Sequence, residues 1–177
     1  ILFSDIRFPV SELANNAGTP VEVQPMGKIR MEFLANGVQM ETDDLDFDWT
    51  TSGNDSIRYY SGRVKYTFRF RYSPKKRTET LLYFKDLHDV ASIRLNGQDC
   101  GCVWTAPYHA DVSKVLRSGE NLLEIEVANT WSNAIEGHDA GHDPFPHIWT
   151  NAKYRKADRF LLPAKLGGLQ LLPASDK

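Results

Sequence analysis

The side chains best suited to chemistry lie in one stretch with no regular period. Between Trp131 and Arg159 the chain carries Asn133, His138, Asp139, His142, Asp143, His147, Trp149, Arg155 and Arg159. His138, His142 and His147 with Asp139 and Asp143 are the densest set of metal-type ligands, and imidazole with carboxylate suits Zn²⁺ or a similar ion. Gly137, Gly141, Pro144 and Pro146 interrupt the run. On that ground no helix is expected to align a His-x-x-x-His pair. The stretch also suits sugar recognition. Aromatic faces pack on the apolar C–H side of a pyranose, while Asn, Asp, His and Arg bind its hydroxyls. A loop that contacts a sugar or a partner domain is the favoured reading; a metal site and a plain solvated loop are the alternatives. Trp149 is the first choice for stacking, and Trp131, between Asn129 and Asn133, is divided between core and rim.

Other candidates read as structural. Glycoside hydrolysis needs two carboxylates held ~5–9.5 Å apart, and with 23 acidic residues pairs are easy to invent. The run Asp43-Asp44-Leu45-Asp46-Phe47-Asp48 is expected as a solvated loop able to hold a cation. Cys100 and Cys102 flank Gly101, too close for a good disulfide, and are expected buried and reduced. Trp104 is expected to pack. Ser61 lacks a nucleophile elbow. No phosphate-binding glycine loop, CxxC or HExxH occurs.

The elements that must position these residues have a period of two. Val64, Tyr66, Phe68 and Phe70 alternate with Arg63, Lys65, Thr67, Arg69 and Arg71, as in a half-buried antiparallel strand. The pattern recurs over residues 28–34, 121–128 and 93–96. Residues 79–85 are more continuously apolar and read as a central strand. Asn96-Gly97 signals a hairpin. Residues 111–116 read as one helical turn before Gly119. Many short strands with spaced turns predict an all-β sandwich. Residues 1–27, with Pro9, Pro20 and Pro25, are expected as a leader or as the edge strand of a preceding domain. Residues 28–177 are expected to form the sandwich.

A chain of 177 residues suits one domain, and 41% hydrophobic with 25% charged residues supports a packed core. A net charge of −2 does not imply a nucleic-acid surface. No apolar run approaches the ~20 residues of a membrane helix. Neither nucleic acid nor membrane is therefore expected as a partner. The chain opens on Ile1 and reads as a piece of a longer polypeptide.

Four blocks in order carry a resemblance. They are residues 57–66 after Trp49; Ile93-Arg94-Leu95-Asn96-Gly97 through Gly101, Trp104 and Pro107-Tyr108; residues 119–133; and Leu166-Gly167-Gly168-Leu169-Gln170-Leu171-Leu172. Together they resemble the galactose-binding-like jelly-roll domain of glycoside hydrolases. The likeness is nearest to α-L-rhamnosidase-like enzymes of glycoside hydrolase family 106 and more distant to the sugar-binding domain of family 2. The resemblance implies a jelly-roll sandwich of about eight antiparallel strands. It implies a non-catalytic accessory domain of a glycan-degrading enzyme, whose acid and base sit on a separate (β/α)₈ barrel. No catalytic residue, and no activity of the chain alone, is then expected. The expected partners are the catalytic domain of the same polypeptide and carbohydrate, bound through Trp131, Asn133, His138, Asp139, Trp149, Arg155 and Arg159. The resemblance puts Lys153 to Arg159 at the neighbouring catalytic pocket, leaves room for a structural calcium, and implies an extracytoplasmic setting. A free-standing carbohydrate-binding module and a ligand-free interaction domain remain the alternatives.

Overall fold

The structure, a computed structural model, describes residues 18–74, 78–142 and 160–174. Within them the chain forms ten strands: β1 (Val21–Glu22), β2 (Ile29–Phe33), β3 (Val38–Thr42), β4 (Arg63–Tyr72), β5 (Thr80–Phe84), β6 (Val90–Leu95), β7 (Gln98–Val103), β8 (His109–Asp111), β9 (Gly119–Ala128) and β10 (Leu169–Pro173). Two short helices, α1 (Asp55–Arg58) and α2 (Ser132–Asp139), and a 3₁₀ turn at Trp49–Thr51 sit between them. No helix among the described residues is long and apolar enough to cross a membrane.

Two antiparallel sheets enclose the core. The larger has the order β3-β2-β4-β9-β6-β7, the smaller β1-β10-β5-β8. This is the all-β sandwich read from the alternation, in line with the jelly roll that the resemblance implies. The central pair, β4 and β9, is in register from Arg63↔Ala128 to Tyr72↔Gly119. Because side chains alternate along a strand, Val64, Tyr66, Phe68, Phe70 and Tyr72 all turn inward and are buried, as are Leu123, Ile125 and Val127. Leu82, Phe84, Leu169 and Leu171 meet them from the smaller sheet. Each such side chain contributes about 1.5–3 kcal/mol on burial. The outward residues form a charge ladder: Lys65 Nζ lies 2.7 Å from Glu124 Oε1, Arg63 Nη1 3.3 Å from Glu126 Oε2, and Arg69 Nη1 2.5 Å from Glu120 Oε1. As expected, residues 80–84 run centrally, between β10 and β8.

Several expectations change. Part of the stretch read as a leader belongs to this sandwich. Val21 pairs with Leu171 and Glu22 with Gln170, and Val23 is buried in the core. The segment covers an edge of β10 that would otherwise stay open. Residues 1–17 lie outside the described residues. Residues 111–116 do form the single helical turn read from the sequence: Leu116 N donates to the Val112 carbonyl at 2.8 Å, Asp111 Oδ1 accepts from Ser113 N at 2.9 Å, and the Val115 carbonyl accepts from Asn96 Nδ2 at 2.9 Å.

The Asn96-Gly97 hairpin forms as read, with φ +53° and +80°, the positive pair a type I′ turn requires. Cys100 is only half-buried and Cys102 is exposed; both are free thiols. They lie on the edge strand β7, whose register against β6 shifts between Ser92 and Arg94, and an irregular edge strand has no neighbour to bury them. Trp104, expected to pack, is 72% exposed, because the chain leaves β7 just before it.

The return into β10 is the tightest crossing. Gly167 has φ +76°, and a Cβ there would sit 2.9 Å from the Asp86 backbone carbon. Backbone cannot move aside as a flexible side chain can. Gly167→Ala should lower stability by roughly 2–4 kcal/mol, read as the urea midpoint. Gly53→Ala, in open space, should leave that midpoint within about 0.5 kcal/mol.

Candidate functional site

The loop-bearing pole of the sandwich is assembled by backbone-mimicking side chains. Beyond β9, Asn129 Oδ1 accepts from Gly62 N at 2.8 Å and its Nδ2 donates to the Tyr60 carbonyl at 3.1 Å. The buried Ser61 hydroxyl accepts from Ala134 N at 3.0 Å. It satisfies an amide in the first turn of α2, where Trp131, at the N-cap position, makes no side-chain cap. The Tyr60 hydroxyl donates to the Arg63 carbonyl at 2.8 Å and accepts from Ala35 N at 3.0 Å. Burial pushes its pKa above the usual phenol value.

A helix was not expected here, yet α2 forms and includes Gly137. The reason is steric. A Cβ on Gly137 would come within 2.7 Å of Tyr59 Cβ, so glycine lets this helix face pack against residue 59. Asn133, Ala134 and Ile135 share the buried side. The helix stops at Gly141, φ +82°, with His142 N donating to the Gly137 carbonyl at 2.8 Å, a glycine-terminated end of the usual kind. His142 then stacks on Tyr59, with centroids 5.2 Å apart, and its Nδ1 lies 2.7 Å from Asp55 Oδ2.

Asn133 clamps the two sides of the pole. Its Nδ2 donates to the Leu162 carbonyl at 2.9 Å, and its Oδ1 accepts from Leu162 N at 2.8 Å. The side chain is 1% exposed, so it holds the returning chain instead of facing solvent. The acidic run has a similar task. Asp48 Oδ1 accepts from Ala164 N at 3.1 Å, and Trp49 N donates to the Ala164 carbonyl at 3.1 Å. Lys165 Nζ bridges Asp46 Oδ1, at 3.0 Å, and Asp86 Oδ2. Hydrogen bonds to Asp86 and Asp46 raise the Lys165 pKa, and Lys165 in turn lowers that of Asp86. The acidic run is solvated at Asp43, Asp44 and Asp46, as read, pairs with Lys28 and Lys165, and through Asp48 also anchors the strap.

At the outer surface of this pole Trp131 is 59% exposed, Phe160 69% and Leu162 39%. Trp131 and Phe160 each stand two residues from a member of the Asn133–Leu162 clamp, so the aromatic pair flanks one fixed point. His138 and Asp139 are exposed near the end of α2. Of the sequence-selected residues, Trp131, Asn133, His138 and Asp139 lie among the described residues: Trp131 stands at the N-cap position of α2, Asn133 is on its buried side, and His138 and Asp139 are exposed at its other end. Trp149, Arg155, Arg159 and Lys153, with Asp143 and His147, lie outside the described residues. Among the described residues no group of three or more His, Cys, Asp or Glu converges as a metal site.

Sequence reasoning missed Phe160, Leu162 and Lys165, and took Asp48 only as part of the acidic run. The signal available was the apolar run Phe160-Leu161-Leu162-Pro163 just ahead of Gly167-Gly168.

Beneath the strap three polar atoms are buried without a hydrogen-bond partner among the described residues: Trp49 Nε1, Tyr66 Oη and Asp89 Oδ2. Burial, with the Asp89 and Asp48 charges nearby, holds Tyr66 well above the usual phenol range. Burial also pushes Asp89 up to about 6.

Comparison with known proteins accords with this geometry. Residues 12–160 match the family model described as the glycosyl hydrolase 2 galactose-binding domain-like family. A candidate β-glucuronidase of Formosa agariphila is 36% identical over 126 residues, 68% of this chain and 11% of that protein. The solved rhamnosidase of Novosphingobium sp. PP1Y superposes with a TM-score of 0.74 at 30% identity, over 88% of this chain and 15% of that one. The β-D-glucuronidase of Dictyoglomus thermophilum shares the fold, with a TM-score of 0.58 at 18% identity over 89% of this chain and 28% of its own. The chain thus spans between a tenth and a third of the proteins it matches.

Removing the clamp should loosen the strap. Asn133→Ala leaves the Leu162 N–H and carbonyl unpaired and should cost about 1–3 kcal/mol, with faster amide exchange at Leu162 than in wild type. Asp89 tests the buried trio through pH. Its folded pKa is raised above its unfolded value of ~3.9, so its contribution is fully present below pH ~4 and is lost as pH rises through 6. Asp89→Asn should therefore match wild type at pH 4 and exceed it at pH 7.5. The gain should be on the order of 1–2 kcal/mol, discounted because the side chain is partly exposed. Denaturation of both proteins at the two pH values checks this.

Proposed function

The chain belongs to the glycosyl hydrolase 2 galactose-binding domain-like family, and from that premise we propose that it serves as a non-catalytic accessory domain of a larger glycan-degrading enzyme. In this reading it packs against the catalytic domain and lends side chains of its α2 pole to sugar recognition. The observation that carries it is the exposed Trp131, Phe160 and Leu162 around the locked Asn133–Leu162 contact. Large apolar side chains grouped at one rigid pole suit a sugar ring or a neighbouring domain better than water. The rigidity matters because a preformed surface loses little entropy on binding.

The comparisons support the same reading. Matched proteins named as a rhamnosidase and as β-glucuronidases are several times longer than this chain. A module of that kind leaves bond cleavage to another domain and contributes position. In this reading His138 and Asp139, exposed at the C-terminal end of α2, bind sugar hydroxyls. The proposed sugar-binding set also includes Trp149, Arg155 and Arg159, which lie outside the described residues.

In the full polypeptide, Trp131→Ala should raise KM for an oligosaccharide about five- to tenfold, an indole stacking contact being worth roughly 1 kcal/mol or more. kcat and the unfolding midpoint should change little. Phe160→Asp should detach the module, seen as faster proteolysis between it and the catalytic domain. Unchanged KM together with unchanged proteolysis would refute the reading.

A further inference from the structure

We propose that the outer face of the six-stranded sheet, near its β7 edge, is a second carbohydrate-binding surface that takes a neutral, hydroxyl-rich stretch of glycan, with Trp104 as its stacking platform. The register puts the pieces together. Val90 pairs with Ala128 and Ala91 with Val103. Trp104, the residue after β7, therefore stands level with Val90, one strand spacing of ~4.8 Å away. Val103 and Ala91 are buried, and alternation turns Trp104 and Val90 to the outer side, where both are exposed. Two residues further along, at ~7 Å, the paired Ser92 and Cys102 are exposed as well. Ser92 lies in the wall of a shallow groove of about 290 Å³, shared with Lys65, Arg94, Asp99, Glu124 and Glu126.

The groove has its cause in β7. Ser92 pairs with Cys102 and Arg94 with Asp99, two steps along β6 against three along β7. Gly101, at φ +89°, takes up the extra residue, and its N–H donates to Asp99 Oδ1 at 2.8 Å. Such a bulge bends its strand, and Ile93, opposite it, lines the opening. The polar groups around it interleave in sign. Lys65 Nζ meets Glu124 Oε1 at 2.7 Å, and Arg63 Nη1 meets Glu126 Oε2 at 3.3 Å. Each contact is made through one carboxylate oxygen, and the second can accept from a hydroxyl. A sugar hydroxyl both donates and accepts, so it suits such a lining. An anion would meet Asp99, Glu124 and Glu126 as often as Arg63, Lys65 and Arg94. A protein partner fits less well, because the centres of protein interfaces are depleted in Lys, Asp and Glu. An indole beside a polar groove matches a pyranose, apolar on one face and hydroxylated at its edge. The choice of a glycan over other polyhydroxylated ligands rests on the accessory-domain reading.

The test is affinity electrophoresis of the full polypeptide through gels containing galactan, xyloglucan or galactomannan, with dextran sulfate as the anionic comparison. At least one neutral polymer should retard wild type, and more strongly than dextran sulfate does. Trp104→Ala should weaken that retention about fivefold or more, and Arg94→Ala should act in the same direction. Both positions are exposed, so an unchanged unfolding midpoint checks that the variants fold. Lys114→Ala, in the turn region before β9, should be retained like wild type. Four results would overturn the proposal. They are no retention of wild type by any neutral polymer, stronger retention by dextran sulfate, retention indifferent to Trp104→Ala, and faster proteolysis between module and catalytic domain in Trp104→Ala with retention intact. The last would assign Trp104 to a domain contact. If Trp131→Ala weakens retention and Trp104→Ala does not, this surface falls and the α2 pole stands. The accessory-domain reading is judged apart from it, by KM and proteolysis of the α2-pole variants.

Discussion

The β4–β9 pairing governs this molecule. Ten residues of each strand run in antiparallel register, and the strict alternation along them puts five side chains of β4 and three apolar ones of β9 into one interior. A slip of one position would turn Arg63, Lys65 and Arg69 inward and the aromatics outward. The ionic ladder of Lys65, Arg63 and Arg69 with Glu124, Glu126 and Glu120 opposes the same slip from the solvent side. Exposed ion pairs contribute little stability, so their role here is to agree with the register that the core imposes. With that register set, both ends and the outer face of the sandwich are defined, and everything functional is built on them.

Each end is closed by asparagine. Asn129 and Asn133 hold the α2 pole; Asn96 and Asn121 hold the other. In each case a side-chain amide stands in for a strand partner where the sheet ladder stops. A buried amide without partners would be costly. Asn121 and Asn133 are nearly inaccessible to solvent, and both make paired donor and acceptor contacts to main chain. The result is a rigid loop base at each pole, one of them carrying exposed aromatics.

The strap from residue 160 to Gly168 links the poles to the core. Asn133, Asp48 and Trp49 grip its backbone, and Asp46 and Asp86 hold Lys165. Beneath it lie the unpartnered polar atoms of Trp49, Tyr66 and Asp89. Aspartate there is less stable as an anion than in water, which means the strap region gives up some stability near neutral pH. The crossing also explains Gly167, where a Cβ would meet the Asp86 backbone; at Gly168 the close neighbour is the flexible end of the Lys85 side chain.

Strand positions, inward residues, the Asn96-Gly97 hairpin and the sandwich class were legible in the sequence because each depends on spacing along a single strand or turn. The period of two in residues 63–72 needs no partner to be recognised. Other features depend on contacts between distant segments. Gly137 reads as a helix breaker until Tyr59 is seen against it, since propensity describes an isolated helix and packing overrides it. Asn133 reads as a sugar ligand until Leu162, 29 residues away in sequence, is seen against it. The acidic run's second task, gripping the strap, shows only when Ala164 and Lys165 return to it, and Cys102 and Trp104 read as buried until β7 proves to be an edge. Sequence by itself determined which side chains face inward, because pleating is a local property of the backbone. Tertiary structure alone decided which polar groups are structural and which remain available, because a hydrogen bond between residues far apart in the chain leaves no local periodic trace.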